Sequence, residues 1–149
     1  MDTGATHPNP PQPVPALTPI AALEEARAAE KEQALFYRAL AAHAEERGDA
    51  ELAERLNELH ADEQHHLSRL TARLLELGAG LADLSGIAAE PVEADRWEAA
   101  ARIREGAEVL RYERLLEGEL DDDTRALVEE IVETERHHAE ELGGKWTMA

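Results

Sequence analysis

Two segments of the chain carry apolar residues at helical spacing and, in the middle of each stripe, a glutamate and a histidine three positions apart. In the first, Leu52, Leu56, Leu59, Leu67, Leu70, Leu74 and Leu77 share a face with Glu63 and His66. In the second, Val128, Ile131, Ala139 and Leu142 share one with Glu135 and His138. Residues three, four, seven and eleven apart lie on one side of a helix, so the polar pair points where the leucines point, into a core. Two further stripes behave alike. Leu23, Ala26, Ala34, Tyr37, Ala41 and Ala44 pass through Glu30, and Ala101, Val109, Tyr112 and Leu116 pass through Glu105, with Glu108 one turn on. An uncompensated buried carboxylate costs several kcal/mol or takes up a proton, and four at one level repel one another. A fold that gathers them needs a cation among them.

Helix punctuation sets the architecture. Thr18-Pro19 reads as an N-cap followed by proline at the first helical position, and good helix formers continue to Gly48. Asp49 caps a second helix that runs to about Leu77, before Gly78 and Gly80. Residues 78 to 93 form a connection long enough to return along a helix and start the next at the same end. Asp95 with Glu98 resembles a capping box opening a third helix that reaches about Leu116, before Gly118. The acidic run Asp121-Asp122-Asp123-Thr124 suits the positive end of a fourth helix dipole, and Gly143-Gly144 ends that helix. Two antiparallel hairpins joined by a long crossover make an all-α, ferritin-like four-helix bundle over residues 18–149. Six of the seven prolines fall between Pro8 and Pro19, so residues 1–17 read as a disordered proline-rich tail.

Composition narrows the chemistry. The 33 acidic residues against 15 Lys and Arg give a formal charge of −18, which disfavours nucleic acid and anionic membrane surfaces as partners. There is no cysteine, so disulfides, thiolate zinc sites and iron-sulfur centres are excluded, and any metal must rest on His, Asp or Glu. No signal-like or membrane-spanning stretch is apparent, which points to the cytoplasm. Aromatic residues are 3% and hydrophobic residues 43%, leaving Leu and Ala to build the core.

Residues equidistant from a hairpin turn lie side by side. Glu30 and Glu63 centre near Gly48, and Glu105 and Glu135 centre on Leu120, so one carboxylate from each helix can meet the others at a common level. One Glu from each of two helices plus Glu-x-x-His from each of the other two is the donor set of dinuclear carboxylate sites. Four carboxylates formally neutralise two divalent ions, and the oxygen and imidazole mixture suits two iron ions, with manganese also accommodated.

The halves echo each other: Tyr37 follows Glu30 by seven residues as Tyr112 follows Glu105, and Glu63-Gln64-His65-His66 matches Glu135-Arg136-His137-His138. The echo favours Glu105 over Glu108 as the first ligand of the second half. In these motifs the chain, over residues of about 20 to 142, resembles the rubrerythrin branch of the ferritin-like di-iron superfamily. The resemblance implies that Glu30, Glu63, His66, Glu105, Glu135 and His138 bind iron, and that Glu108 corresponds to an additional carboxylate of helix three. It further implies a di-iron oxidoreductase in which ferrous iron is oxidised by peroxide or oxygen while Glu30, Glu63, Glu105 and Glu135 shift between bridging and terminal binding. The cysteine-bearing rubredoxin-like tail of full rubrerythrins has no counterpart here, and no glycine-rich nucleotide fingerprint follows a strand, so an external electron donor protein is expected. The alternative is a ferroxidase serving iron storage or detoxification, within a container made by another protein.

Among the remaining polar residues, His60 lies about 60 degrees off the Glu63 face, as an outer neighbour of the site or a third nitrogen ligand. His43, His65 and His137 are expected at the surface, as are Glu24, Glu46 and Glu129. Tyr37 and Tyr112 are either plain core residues or phenols that bond a carboxylate on a facing helix. Trp97 and Trp146, near helix ends, suggest a subunit contact in a homo-oligomer, with a dimer expected.

Overall fold

The computed structural model describes residues 19–142, and within them every regular element is helical. Helix α1 spans Pro19–Glu46, α2 Ala50–Glu76, α3 Trp97–Glu117 and α4 Asp122–Glu140. α1 packs against α2 and α3 against α4 as two hairpins, with α1 touching α3 and α2 touching α4 between them, as expected for a four-helix bundle. Thr18, the proline-rich segment, Gly143-Gly144 and Trp146 lie outside the described residues.

The ends of α1 and α2 follow the predicted punctuation. Gly48 adopts φ +73° and Gly78 φ +79°, the left-handed region that ends a helix without a Cβ clash. At the first turn the Asp49 amide donates to the Ala44 carbonyl at 2.9 Å and the Gly48 amide to the Glu45 carbonyl at 3.0 Å. The Asp49 carboxylate then accepts from the Leu52 amide at 3.2 Å and opens α2. Asp121 does the same for α4, accepting from the Thr124 amide at 3.1 Å, while Arg73 of α2 donates to it.

α3 departs from the expectation at its start and along its buried face. A single 3-10 turn, Ala94–Arg96, precedes it, and Arg96 at its N-cap makes no side-chain cap bond. The expected capping box therefore does not start the helix; the tighter turn occupies that place, with the Arg96 amide donating to the Glu93 carbonyl at 2.9 Å. Further along, the buried face runs Ala101, Glu105, Glu108, Tyr112 and Leu115. The apolar stripe is thus completed by Leu115, with Val109 and Leu116 only partly buried on its flank. Trp97 is 8% exposed and packs in the core of its own chain, which removes it as a subunit-contact residue.

The core divides in two. One apolar cluster joins Phe36, Leu40, Leu56, Leu59, Trp97 and Leu142; the other joins Leu23, Leu70, Leu74, Leu115, Val128 and Ile131. The crossover is held against the first hairpin by Arg27, which donates to Thr71 Oγ1 at 2.8 Å and to the Ala82 carbonyl at 3.0 Å.

Gly48→Ala should lower stability by about 1 kcal/mol through its backbone conformation alone, because a Cβ there meets no atom within 4 Å. Gly80→Ala, equally unhindered and without a positive φ, should be neutral or slightly stabilising. Urea unfolding midpoints of the two variants separate these effects.

Candidate metal centre

Between the two apolar clusters lies a layer of buried polar side chains. Glu30, Glu63, Glu105 and Glu135 are all 0% exposed, one from each helix, and His66 and His138 are 4% and 2% exposed. The helical period explains their depth, since each occupies the inward stripe of its helix, and the hairpin symmetry explains their common level.

The side chains form two overlapping donor groups. Glu30, Glu63, His66 and Glu135 offer ligand atoms within 4.8 Å of one another, and so do Glu63, Glu105, Glu135 and His138. Glu63 and Glu135 belong to both. Glu135 reaches each histidine, with Oε1 2.9 Å from His66 Nδ1 and Oε2 3.9 Å from His138 Nδ1. His138 Nδ1 also lies 3.3 Å from Glu63 Oε1 and 3.5 Å from Glu105 Oε1, and His66 Nδ1 lies 3.6 Å from Glu30 Oε1.

Both tyrosines donate across the hairpins. Tyr37 Oη on α1 bonds Glu105 Oε1 on α3 at 2.5 Å, and Tyr112 Oη on α3 bonds Glu30 Oε1 on α1 at 2.6 Å. Each satisfies one oxygen of a terminal carboxylate and leaves the other without a hydrogen-bond partner. The inward atoms Glu30 Oε2, Glu105 Oε2, both oxygens of Glu63 and Glu135, and Nδ1 of both histidines are all buried and unsatisfied. Buried polar atoms are normally paired. Their convergence in two groups, with oxygen and imidazole donors alone, is what a metal centre requires, so these residues can hold metal ions.

Without a metal, protons take that part. Burial and the charges of Glu30 and Glu135 hold Glu63 well above the usual carboxylate range. Glu135 is pushed up to about 12 by burial and by Glu105. Burial opposes the charging of His138, yet its hydrogen bond to Asp62 and the nearby carboxylate of Glu105 prevail and raise it to about 10. Glu105 goes the other way: burial is outweighed by the proximity of Glu135 and His138 and by the bond from Tyr37, which hold its carboxyl below the usual carboxylate range. Tyr37 and Tyr112 are held protonated by burial and by the carboxylates they face, Glu105 and Glu30 respectively.

Glu108 is buried beside the layer but belongs to neither donor group. Its Oε1 lies 3.8 Å from Arg111 Nε, and burial with the charge of Glu30 raises it to about 8. His60 is turned away, its Nδ1 donating to the Ala34 carbonyl at 2.8 Å, so it is a structural neighbour outside both groups. His43, His65 and His137 are exposed, as are Glu46 and Glu129, while Glu24 is partly buried.

Two residues escaped the sequence reading. Asp62 Oδ2 accepts from His138 Nε2 at 2.8 Å, and Gln33 Nε2 donates to Glu105 Oε1 at 3.3 Å. Neither lies in an apolar stripe partner motif, and only their offsets hint at a role: Asp62 directly precedes Glu63, and Gln33 follows Glu30 by the three residues that separate Glu108 from Glu105.

Comparison of the chain with protein-family models, with curated proteins and with solved structures gives no match.

Glu108, Glu135 and His138 bind protons more tightly in the folded chain than at their ordinary values of 4.5, 4.5 and 6.5. Their stabilising contribution is complete below those values and is lost as pH rises through about 8, 12 and 10. Glu105, shifted down, acts oppositely and loses its contribution only as pH falls below its ordinary range. The metal-free protein should therefore lose stability between neutral and alkaline pH, by up to about 1.4 kcal/mol per pH unit for each proton involved. Urea unfolding with a chelator present should show the loss, and added manganese should relieve it.

Proposed function

We propose that this chain is a dinuclear carboxylate metalloprotein that oxidises ferrous iron with peroxide or oxygen, in the manner of the rubrerythrins it resembles. The observation that carries the reading is the pair of overlapping donor groups sharing Glu63 and Glu135, whose inward atoms are buried and otherwise unsatisfied. A lone Glu-x-x-His on an acidic helix would carry little; here two such motifs and two further glutamates converge.

Under this reading Glu63 and Glu135, common to both donor groups, would help hold both ions, with Glu30 and His66 completing one group and Glu105 and His138 the other. A pair of iron ions bound there would supply the electrons for breaking an O–O bond. The four carboxylates match the charge of two divalent cations, so binding replaces the protons held by Glu63, Glu135 and His138. Tyr37 Oη and Tyr112 Oη fix one oxygen each of Glu105 and Glu30 and hold phenolic protons beside the reacting space. The apolar clusters above and below keep water from the layer. With no cysteine in the chain, electrons return from a separate donor protein.

Anaerobic titration with ferrous iron should give close to two tightly bound ions per chain, and no uptake at neutral pH would refute the reading. Glu63→Ala or Glu135→Ala should abolish tight binding at one or both positions while helical content, read by circular dichroism, persists. One charge of peroxide should give a single turnover of the reduced protein unless an external reductase is added. Oxidation sustained by ferrous iron alone, with release of ferric product, would instead identify an iron-handling ferroxidase.

A further inference from the structure

The two halves that supply the donors are equivalent in their ligands and unequal around them. Asp62 stands directly before Glu63 and reaches across from α2 to α4, where it accepts from His138 Nε2 at 2.8 Å. The matching residue before Glu135 is Thr134, whose hydroxyl donates to the Glu130 carbonyl of its own helix at 3.3 Å. Among the described residues His66 pairs only with Glu30 and Glu135, both through Nδ1, and no carboxylate is within ion-pair distance of its Nε2.

A second inequality lies three residues beyond the terminal glutamates. Gln33 donates to Glu105 Oε1 at 3.3 Å, beside the Tyr37 bond to the same oxygen, leaving Oε2 free to face inward. The equivalent of Gln33 in the other half is Glu108, which makes no hydrogen bond to Glu30 and whose Oε1 is turned to within 3.8 Å of Arg111 Nε. Glu30 is thus held by Tyr112 alone.

Resting on the dinuclear reading above, we propose that the two metal positions differ in affinity, and that Asp62 and Gln33 make the Glu105–His138 position the tighter and the first to fill. The physical reason is preorganisation. A carboxylate on Nε2 keeps a proton there, so that once an incoming ion displaces the proton on Nδ1 the lone pair is already aimed at the centre and the ring is a stronger donor. Loss of such an outer partner typically weakens metal binding about ten- to a hundredfold. His66 and Glu30 must be ordered by the incoming ion itself, so that position binds second. Asp62 and Gln33 are positioning residues: they touch the ligands and never the ion.

The test uses the full chain, stripped with a chelator and titrated anaerobically with cobalt(II), followed by calorimetry and by the visible spectrum of the bound ion. Two steps at least about tenfold apart are expected. His138→Ala should remove the tighter step and His66→Ala the weaker. Asp62→Asn should weaken the first step about ten- to a hundredfold and leave the second in place, with Asp62→Glu restoring part of the loss. Thr134→Asp, which offers His66 the missing carboxylate, should tighten the second step and draw the two together. Two steps of equal affinity, or equal weakening of both by Asp62→Asn, overturn the inequality while leaving the dinuclear reading intact. Absence of any uptake overturns the dinuclear reading and the inequality with it.

Discussion

Everything in this bundle is arranged around the mutual repulsion of four carboxylates buried at one level. In water the charges would be screened; in a helical interior a like-charged pair a few ångströms apart is strongly unfavourable. The layer can exist only if positive charge enters it, and burial with the mutual repulsion of the carboxylates favours protons on Glu63, Glu135 and His138 in the metal-free chain, while its neighbours keep Glu105 below the usual carboxylate range. Such protonated pairs are replaceable. Metal cations could supply the same compensation, because Nδ1 of both histidines and the free oxygens of the glutamates already converge.

The same layer couples the two hairpins. Within each hairpin the helices are joined by a short turn and long apolar faces; between hairpins, polar and reciprocal links are added to the apolar contacts. Tyr37 of the first hairpin holds Glu105 of the second, and Tyr112 of the second holds Glu30 of the first. Asp62 and His138 add a third such link, and Arg73 with Asp121 a fourth at the edge of the bundle. A carboxylate fixed from the opposite hairpin loses freedom in the direction that matters for a shared site, so ligand geometry and hairpin docking are one problem with one solution.

How much of this could be read from sequence follows from the range of each interaction. The helices and the inward direction of Glu30, Glu63, His66, Glu105, Glu135 and His138 were legible because a period of 3.6 residues is a local property. Their common level was legible because a tight hairpin converts sequence distance from a turn into position along the bundle. The tyrosines were recognisable as a repeated spacing, but whether they met a carboxylate depended on how the hairpins faced each other. Asp62 and Gln33 were harder still: Asp62 is half exposed beside its stripe and Gln33 is a buried amide within its own, and the importance of each comes from a residue 76 or 72 positions away. Leu115 in place of Leu116, and Trp97 in the core, show the same limit, since a stripe position three or four steps on is decided by the neighbour it meets.

The apolar clusters explain why such a centre is compatible with a stable fold. Each cluster on its own joins the two hairpins: Leu23, Leu70, Leu115 and Val128 bring all four helices together on one side, and Phe36, Leu56 and Trp97 with Leu142 do so on the other. Helix association is therefore secured above and below the polar layer by non-directional burial, which tolerates small shifts. The layer itself is held by directional bonds that do not. Dividing the work in this way frees the layer's side chains to be chosen for what they can bind rather than for how tightly they pack, and the cost of their burial is confined to about one helical turn of each helix.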